Sequence, residues 1–114
     1  MATCLVKIEK QGKTEAKTLE GERFTFGRAL DCSVVLQHES ISRKHLEMAC
    51  RKGKIYLKDL GSSNGSYING KRMKADEIRE YVAGDILRIG NSEYSIQIEF
   101  KNSRQQTTLR LQIL

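Results

Sequence analysis

Apolar residues in this chain come in short pieces, and within most pieces they alternate with polar ones. "CLVKIEK" sets Leu5, Val6 and Ile8 among lysines, and "RFTFGR" puts Phe24 and Phe26 on one side with Thr25 on the other. "SVVL" is a brief apolar run. "HLEMAC" and "KIYLKDL" alternate on either side of "RKGK", as the two arms of a hairpin do. "SYING" is a brief strand entering a turn, while "DILRIG" and "EYSIQIEF" form a further alternating pair split by "GNS". A period of two belongs to half-buried strands, whose successive side chains point to opposite faces. Strands this short, joined by polar turns, predict an all-β fold: an antiparallel β-sandwich with its loops clustered at the ends of the sheets.

One segment breaks the pattern. "KADEIREYVAG", Lys74 to Gly84, carries Ile78, Tyr81 and Val82 at helical spacing, with acids early and a glycine at its end. It reads as a short helix or as an ordered loop pinned by those three side chains. The tail "KNSRQQTTLRLQIL" starts polar and ends apolar, as a last strand or a linker would. Residues 1–100 are therefore expected to form one domain, followed by that strand or tail over 101–114; there is no internal repeat.

A chain of 114 residues suits one domain with a core of its own. No apolar run is long enough to span a membrane, and "MATCLVKIEK" lacks the pattern of a signal peptide. Cys4, Cys32 and Cys50 form no CxxC, and with two histidines they offer no metal-ligand spacing. They read as small core thiols in a reducing compartment, hence a cytoplasmic protein. The net charge of +6 is spread over short clusters: Arg43 and Lys44, "RKGK" at 51–54, and "KRMK" at 71–74. Such a dispersed excess fits a solvated surface, and it also fits an anionic partner.

Four turn pieces stand out: Gly27-Arg28, "SRKH" at 42–45, "SSNG" at 62–65, and Asn69-Gly70. Singly each is weak. A Gly-Arg after a strand is common, His45 beside Leu46 fits a satisfied structural histidine, and Asn-Gly is an ordinary turn pair. Their order and spacing say more. GR, SxxH, SSNG and NG followed by "GDILRIG", with "FTFGR", "CSVVL" and "IYLKDLGSSNGSYING" between, resemble the forkhead-associated (FHA) domain over about Val6 to Phe100. That family is a SMAD-like β-sandwich module that binds phosphothreonine peptides through loops at one end, without catalysis and without a cofactor.

The chemistry of such a ligand fits these residues. A phosphate monoester carries about −1.5 to −2 charge at neutral pH and three strong acceptor oxygens. Arg28 offers a planar fork for two oxygens. Ser42 offers a hydroxyl and a backbone N–H, Arg43 or Lys44 a second cation, and Ser63 another hydroxyl. The resemblance implies that Arg28, Ser42, Arg43 and Ser63 contact phosphate, with Lys44 as a further candidate. It also implies that Asn64 holds the peptide backbone with its amide, that His45 braces the "SSNG" loop from within, and that Gly27 permits close packing beside Arg28. Gly65 lets the chain bend behind Asn64, and Asn69-Gly70 is then a plain hairpin turn. Ser63 stands where the family often has threonine, a departure that keeps the hydroxyl.

A preference for phosphothreonine over phosphoserine rests on one methyl group, worth about 1–3 kcal/mol in a good pocket. The resemblance puts flanking specificity on neighbouring loops. The candidates are Ser40, Arg79, which would favour an acidic peptide residue, and Tyr81, which would favour an apolar one.

Three other functions compete. Nucleic-acid binding fits a pI near 9.4, but the charge is dispersed and the few aromatics sit on expected core faces. A hydrolase drawn from Ser42, His45 and Asp59 or Asp85 lacks a nucleophile elbow and a recognised spacing. Phosphate-independent association, with a partner or with itself, through a sandwich face stays open as an added role, as does fusion to another signalling domain. Thr107 and Thr108 in the tail are hydroxyls that could dock into such a pocket once phosphorylated.

Overall fold

The computed structural model describes residues 3–101. They form strands β1 (Thr3–Lys10), β2 (Lys13–Glu20), β3 (Arg23–Gly27), β4 (Val34–Val35), β5 (Leu46–Arg51), β6 (Lys54–Asp59), β7 (Ser66–Ile68), β8 (Lys71–Arg72), β9 (Ile78–Tyr81), β10 (Leu87–Ile89) and β11 (Ser95–Lys101). One sheet runs β2-β1-β11-β10-β7-β8 and the other β4-β3-β5-β6-β9. Among the described strands every pairing is antiparallel except the short β3–β4 contact, and an isolated bridge from Asp59 to Ala75 is also parallel. The expected sandwich is thus the observed one.

Alternation explains which residues face inward. Cys4, Val6 and Ile8 of β1, Phe24 and Phe26 of β3, and Leu46, Met48 and Cys50 of β5 are all buried. The β1 residues, together with Ile68, Leu87, Ile89, Ile96 and Ile98 of their own sheet, meet the β3 and β5 residues of the other sheet in one core. The thiols of Cys4 and Cys50 touch across the sheets at 2.8 Å, and all three cysteines are buried and free. Lys52 and Gly53, both with positive φ, turn the β5–β6 hairpin.

The segment 74–84 is neither helix nor pinned loop. β9 pairs with β6, placing Ile78 opposite Lys58 and Tyr81 opposite Ile55. Of the three apolar residues only Tyr81 is buried; Ile78 and Val82 face solvent. The open edge of β6 needs hydrogen-bond partners, and a strand supplies them where a helix would not. Two further strands carry no alternating signal. β2 is an edge strand with only Leu19 buried, and β8 consists of two exposed residues beyond a tight turn. The tail segment 102–114, with Thr107 and Thr108, lies outside the described residues.

Strand direction sets which loops share an end. β3 runs toward Gly27, β5 starts at Leu46 opposite Phe26 and Asp59, and β6 ends at Asp59. The loops after β3, before β5 and after β6 therefore meet at one pole. The β5–β6 turn lies at the other.

Candidate functional site

The loop holding Arg28 is pressed against the loop holding Ser42. A Cβ on Gly27 would lie 2.2 Å from the Arg43 carbonyl oxygen, so no larger residue fits without moving the backbone. The Arg28 N–H donates to Ser42 O at 3.0 Å, and the Ala29 N–H to Arg43 O at 3.1 Å. The Arg28 side chain is exposed, and its Nε donates to Ile41 O at 3.0 Å. That bond fixes the guanidinium by one edge and leaves its terminal nitrogens without a hydrogen bond among the described residues.

His45 joins this pair to the third loop. Its ring is fully buried. Nδ1 accepts the Ser42 N–H at 3.0 Å, which puts the ring proton on Nε2, and Nε2 donates to Gly65 O at 2.8 Å. The Ser42 N–H is therefore spent within the fold, and Ser42 has only its hydroxyl to offer a ligand. Arg43 and Lys44 are exposed, with Lys44 Nζ 3.7 Å from a carboxylate oxygen of Asp31.

The third loop is built around Asp59. Its buried carboxylate accepts the N–H groups of Gly61 and Ser62 at 3.0 and 2.9 Å, and the hydroxyls of Ser62 and Ser66 at 2.7 and 2.6 Å. The Ser62 oxygen in turn accepts the Gly65 N–H at 3.0 Å. The two adjacent serines thus divide the work. Ser62 closes the loop from inside, while Ser63 is exposed. Asn64 Nδ2 donates to Ser40 O at 2.8 Å, tying this loop to the second and leaving its carbonyl oxygen and other N–H open.

Burial lowers the pKa of His45 below its ordinary 6.5, against the opposing pull of Gly65 O and Asp59, so the ring is neutral at pH 7. Burial pushes the Asp59 carboxyl up, but the bonds from Ser66 and Ser62 and the nearby His45 outweigh it, and the net shift is downward.

Not every expected residue reaches this pole. Ser40 does, but its hydroxyl is engaged by His38 Nδ1 at 2.7 Å and by the Asn91 N–H at 2.9 Å. Tyr81 does not. It is buried at the opposite end of β6, and its hydroxyl accepts the Ile98 N–H across the sandwich. Arg79 sits half-buried on β9 opposite Leu57, back from the loop edge.

Two residues at the pole were not singled out as site residues from sequence. Asp59, followed by Gly61 and Ser62, is an Asx-type turn signature that could have been read. Arg72 gives no such signal: its guanidinium lies over Gly65, where a Cβ would be 2.7 Å from Nε, and Nη2 is 3.5 Å from Ser63 O.

Residues 24–90 match the family model of the FHA domain. The chain is 31% identical over 80 residues to the FHA domain-containing protein FhaB of Mycobacterium tuberculosis, covering 70% of this chain and 50% of FhaB. It is 37% identical over 73 residues to the FHA domain-containing protein PS1 of Arabidopsis thaliana, covering 62% of this chain but 5% of PS1. The chain thus spans half or less of these relatives. Among solved structures, the FhaA FHA domain in complex with the intracellular domain of another protein superposes with a TM-score of 0.70 at 25% identity, over 84% of this chain and 99% of that one. The FHA domain of the CT664 protein of Chlamydia trachomatis superposes with a TM-score of 0.74 at 21% identity, over 84% and 95%. The chain belongs to the FHA domain family, whose members are protein-interaction modules that bind phosphorylated proteins and peptides.

Proposed function

We propose that this domain is a non-catalytic binding module for phosphothreonine-containing protein segments, acting within residues 1–100, with a final strand or tail over 101–114 whose first residue, Lys101, ends β11. Arg28 is the chief anchor of the phosphate, Ser42, Arg43 and Ser63 complete its cradle, and Asn64 holds the peptide main chain. The observation that carries this reading is the mutual bracing of three loops around unspent polar groups. His45 bonds to Ser42 and Gly65, and Asn64 bonds to Ser40, so the free fork of Arg28 and the hydroxyls of Ser42 and Ser63 are held on rigid backbone. A preorganised cation beside fixed neutral donors suits a doubly charged tetrahedral anion.

A hydrolytic use of Ser42, His45 and Asp59 is disfavoured by the same geometry. The ring meets the Ser42 backbone rather than its hydroxyl, and it is sealed from solvent. Three free buried thiols fit a reducing cytoplasmic setting.

Calorimetric titration with a phosphothreonine peptide and its unphosphorylated counterpart tests the function. Binding should require the phosphate, and an Asp or Glu substitute should fail, since a carboxylate has one charge and two coplanar oxygens. Arg28→Ala should remove about 2–5 kcal/mol of affinity while the thermal melt persists. Equal affinity of variant and parent would reject the pocket.

A further inference from the structure

The outer face of the five-stranded sheet holds a shallow groove of about 610 Å³, running from the β5–β6 turn to Glu47 and Lys58, one residue short of the loop pole. Strand register explains its floor. Arg23, Ala49, Tyr56 and Glu80 lie side by side on β3, β5, β6 and β9, and the neighbouring row places Glu47, Lys58 and Ile78 together. Ala49 has no side chain beyond Cβ, so the sheet is lowest between Arg23 and Tyr56. Ile78 stands at the rim, 66% exposed.

The walls are cationic. Arg23, Arg51, Lys52, Lys54 and Lys58 line the groove against one carboxylate, Glu47, and that carboxylate is 3.9 Å from Arg23. Five cations less Glu47 and the exposed Glu80 beside Tyr56 leave a local surplus of three, in a chain whose total is +6. Charges that look scattered along the sequence are gathered by the β5–β6 hairpin and its neighbours onto one face. A low-dielectric concavity lined with one sign of charge focuses its field on an incoming partner.

We propose that this face is a second binding site, for an acidic polypeptide segment that carries an apolar side chain. The cations select the acidic residues. The exposed Ile78 and the floor around Ala49 and Tyr56 accept the apolar one. A nucleic acid would satisfy the charge but not the apolar floor, and Tyr56 alone is a poor stacking platform. The chain's own residues 102–114 hold two arginines and no acid, so like charge opposes them as the occupant, and a second copy of this face meets the same repulsion. The site goes beyond the phosphopeptide reading and shares no residue with it.

Fluorescence anisotropy at physiological ionic strength tests this with three probes: a short Glu-rich peptide with a central Leu, the same peptide with Ser for Leu, and an oligothymidylate of equal charge. The Leu peptide should bind best. R51E/K54E should weaken it about tenfold or more, as expected for lost complementary charge. K71E/K74E makes the same charge change elsewhere and should leave it nearly unchanged. Phosphothreonine-peptide affinity should be the same in R51E/K54E as in the parent, which also shows that the variant is folded. Equal weakening by both charge reversals would mean diffuse attraction and overturn the site. So would equal binding of the Ser peptide, or oligothymidylate binding more tightly than the Leu peptide and being lost in R51E/K54E.

Discussion

Two Asn-Gly pairs sit five residues apart in this domain and do different work. Asn69-Gly70 turns β7 into β8, with both residues in the left-handed region at φ of 52° and 83°. The Asn69 amide is used at both ends: Nδ2 donates to Asp85 and Oδ1 accepts the Ile86 N–H, each at 2.9 Å. In Asn64-Gly65 only the glycine has positive φ. Gly65 O accepts from His45 and from the Gly90 N–H at 2.8 Å, while Asn64 gives one N–H to Ser40 and keeps the rest of its amide open. The same dipeptide is a fold device where its polar capacity is exhausted locally, and a candidate ligand group where it is not.

The sharpest way to break this contrast is to truncate both asparagines. Asn64→Ala should cost about 1–3 kcal/mol of phosphopeptide affinity, the range for a lost bond whose partner is left buried, with a smaller change in stability. Asn69→Ala should leave affinity intact and lower stability by about 1–2 kcal/mol, through two lost side-chain bonds in a left-handed turn. Titration and urea unfolding of both variants decide the matter. If Asn69→Ala weakened binding as much as Asn64→Ala, the division of labour would be wrong.

The parts of the fold legible in the sequence are those where alternation and burial coincide, as in β1, β3 and the β5–β6 hairpin. β2 has almost nothing to bury, so its sequence carries no period, and the helical spacing of Ile78, Tyr81 and Val82 is accidental because two of the three point to water. The site splits the same way. Motif order brings Arg28, Ser42, Ser63 and Asn64 into view. It does not say which of two adjacent serines faces inward, that the Ser42 N–H is consumed by His45, or that Arg72 lies over Gly65. Those facts depend on strand direction and loop closure. The basic face was hidden for the same reason, since adjacency in the sheet follows register rather than sequence distance.

A second pair of variants sharpens the comparison within the loop. Ser62→Ala removes a donor from buried Asp59 and an acceptor from the Gly65 N–H, so it should lower stability by about 1–2 kcal/mol. Ser63→Ala touches no part of that network and should instead weaken phosphopeptide binding, by about 1 kcal/mol. Thermal melts and titrations of the two variants should show the effects crossing over. Parallel losses in both assays would show that the serines share one role.

A further effect is set by pH and should separate the loops braced by His45 from the Asn69-Gly70 turn. For a base whose pKa is lower folded than unfolded, the unfolded chain binds more protons between the two values, so stability is complete above 6.5 and falls as pH drops through the folded value of His45. Asp59 is also lowered, but from 3.8, so its contribution is complete above that pH and is lost only in stronger acid. Between pH 7 and pH 5 the loop cluster should therefore weaken through His45, by at most about 1.4 kcal/mol per pH unit. Protonation puts a proton on Nδ1, against the Ser42 N–H that it accepts when neutral. Amide-exchange protection of Ser42, corrected for intrinsic pH dependence, should fall on acidification, while that of Asn69, bonded to Ile86 O at 2.9 Å, should hold. Uniform loss at both positions would point to global destabilisation and remove His45 as the local cause.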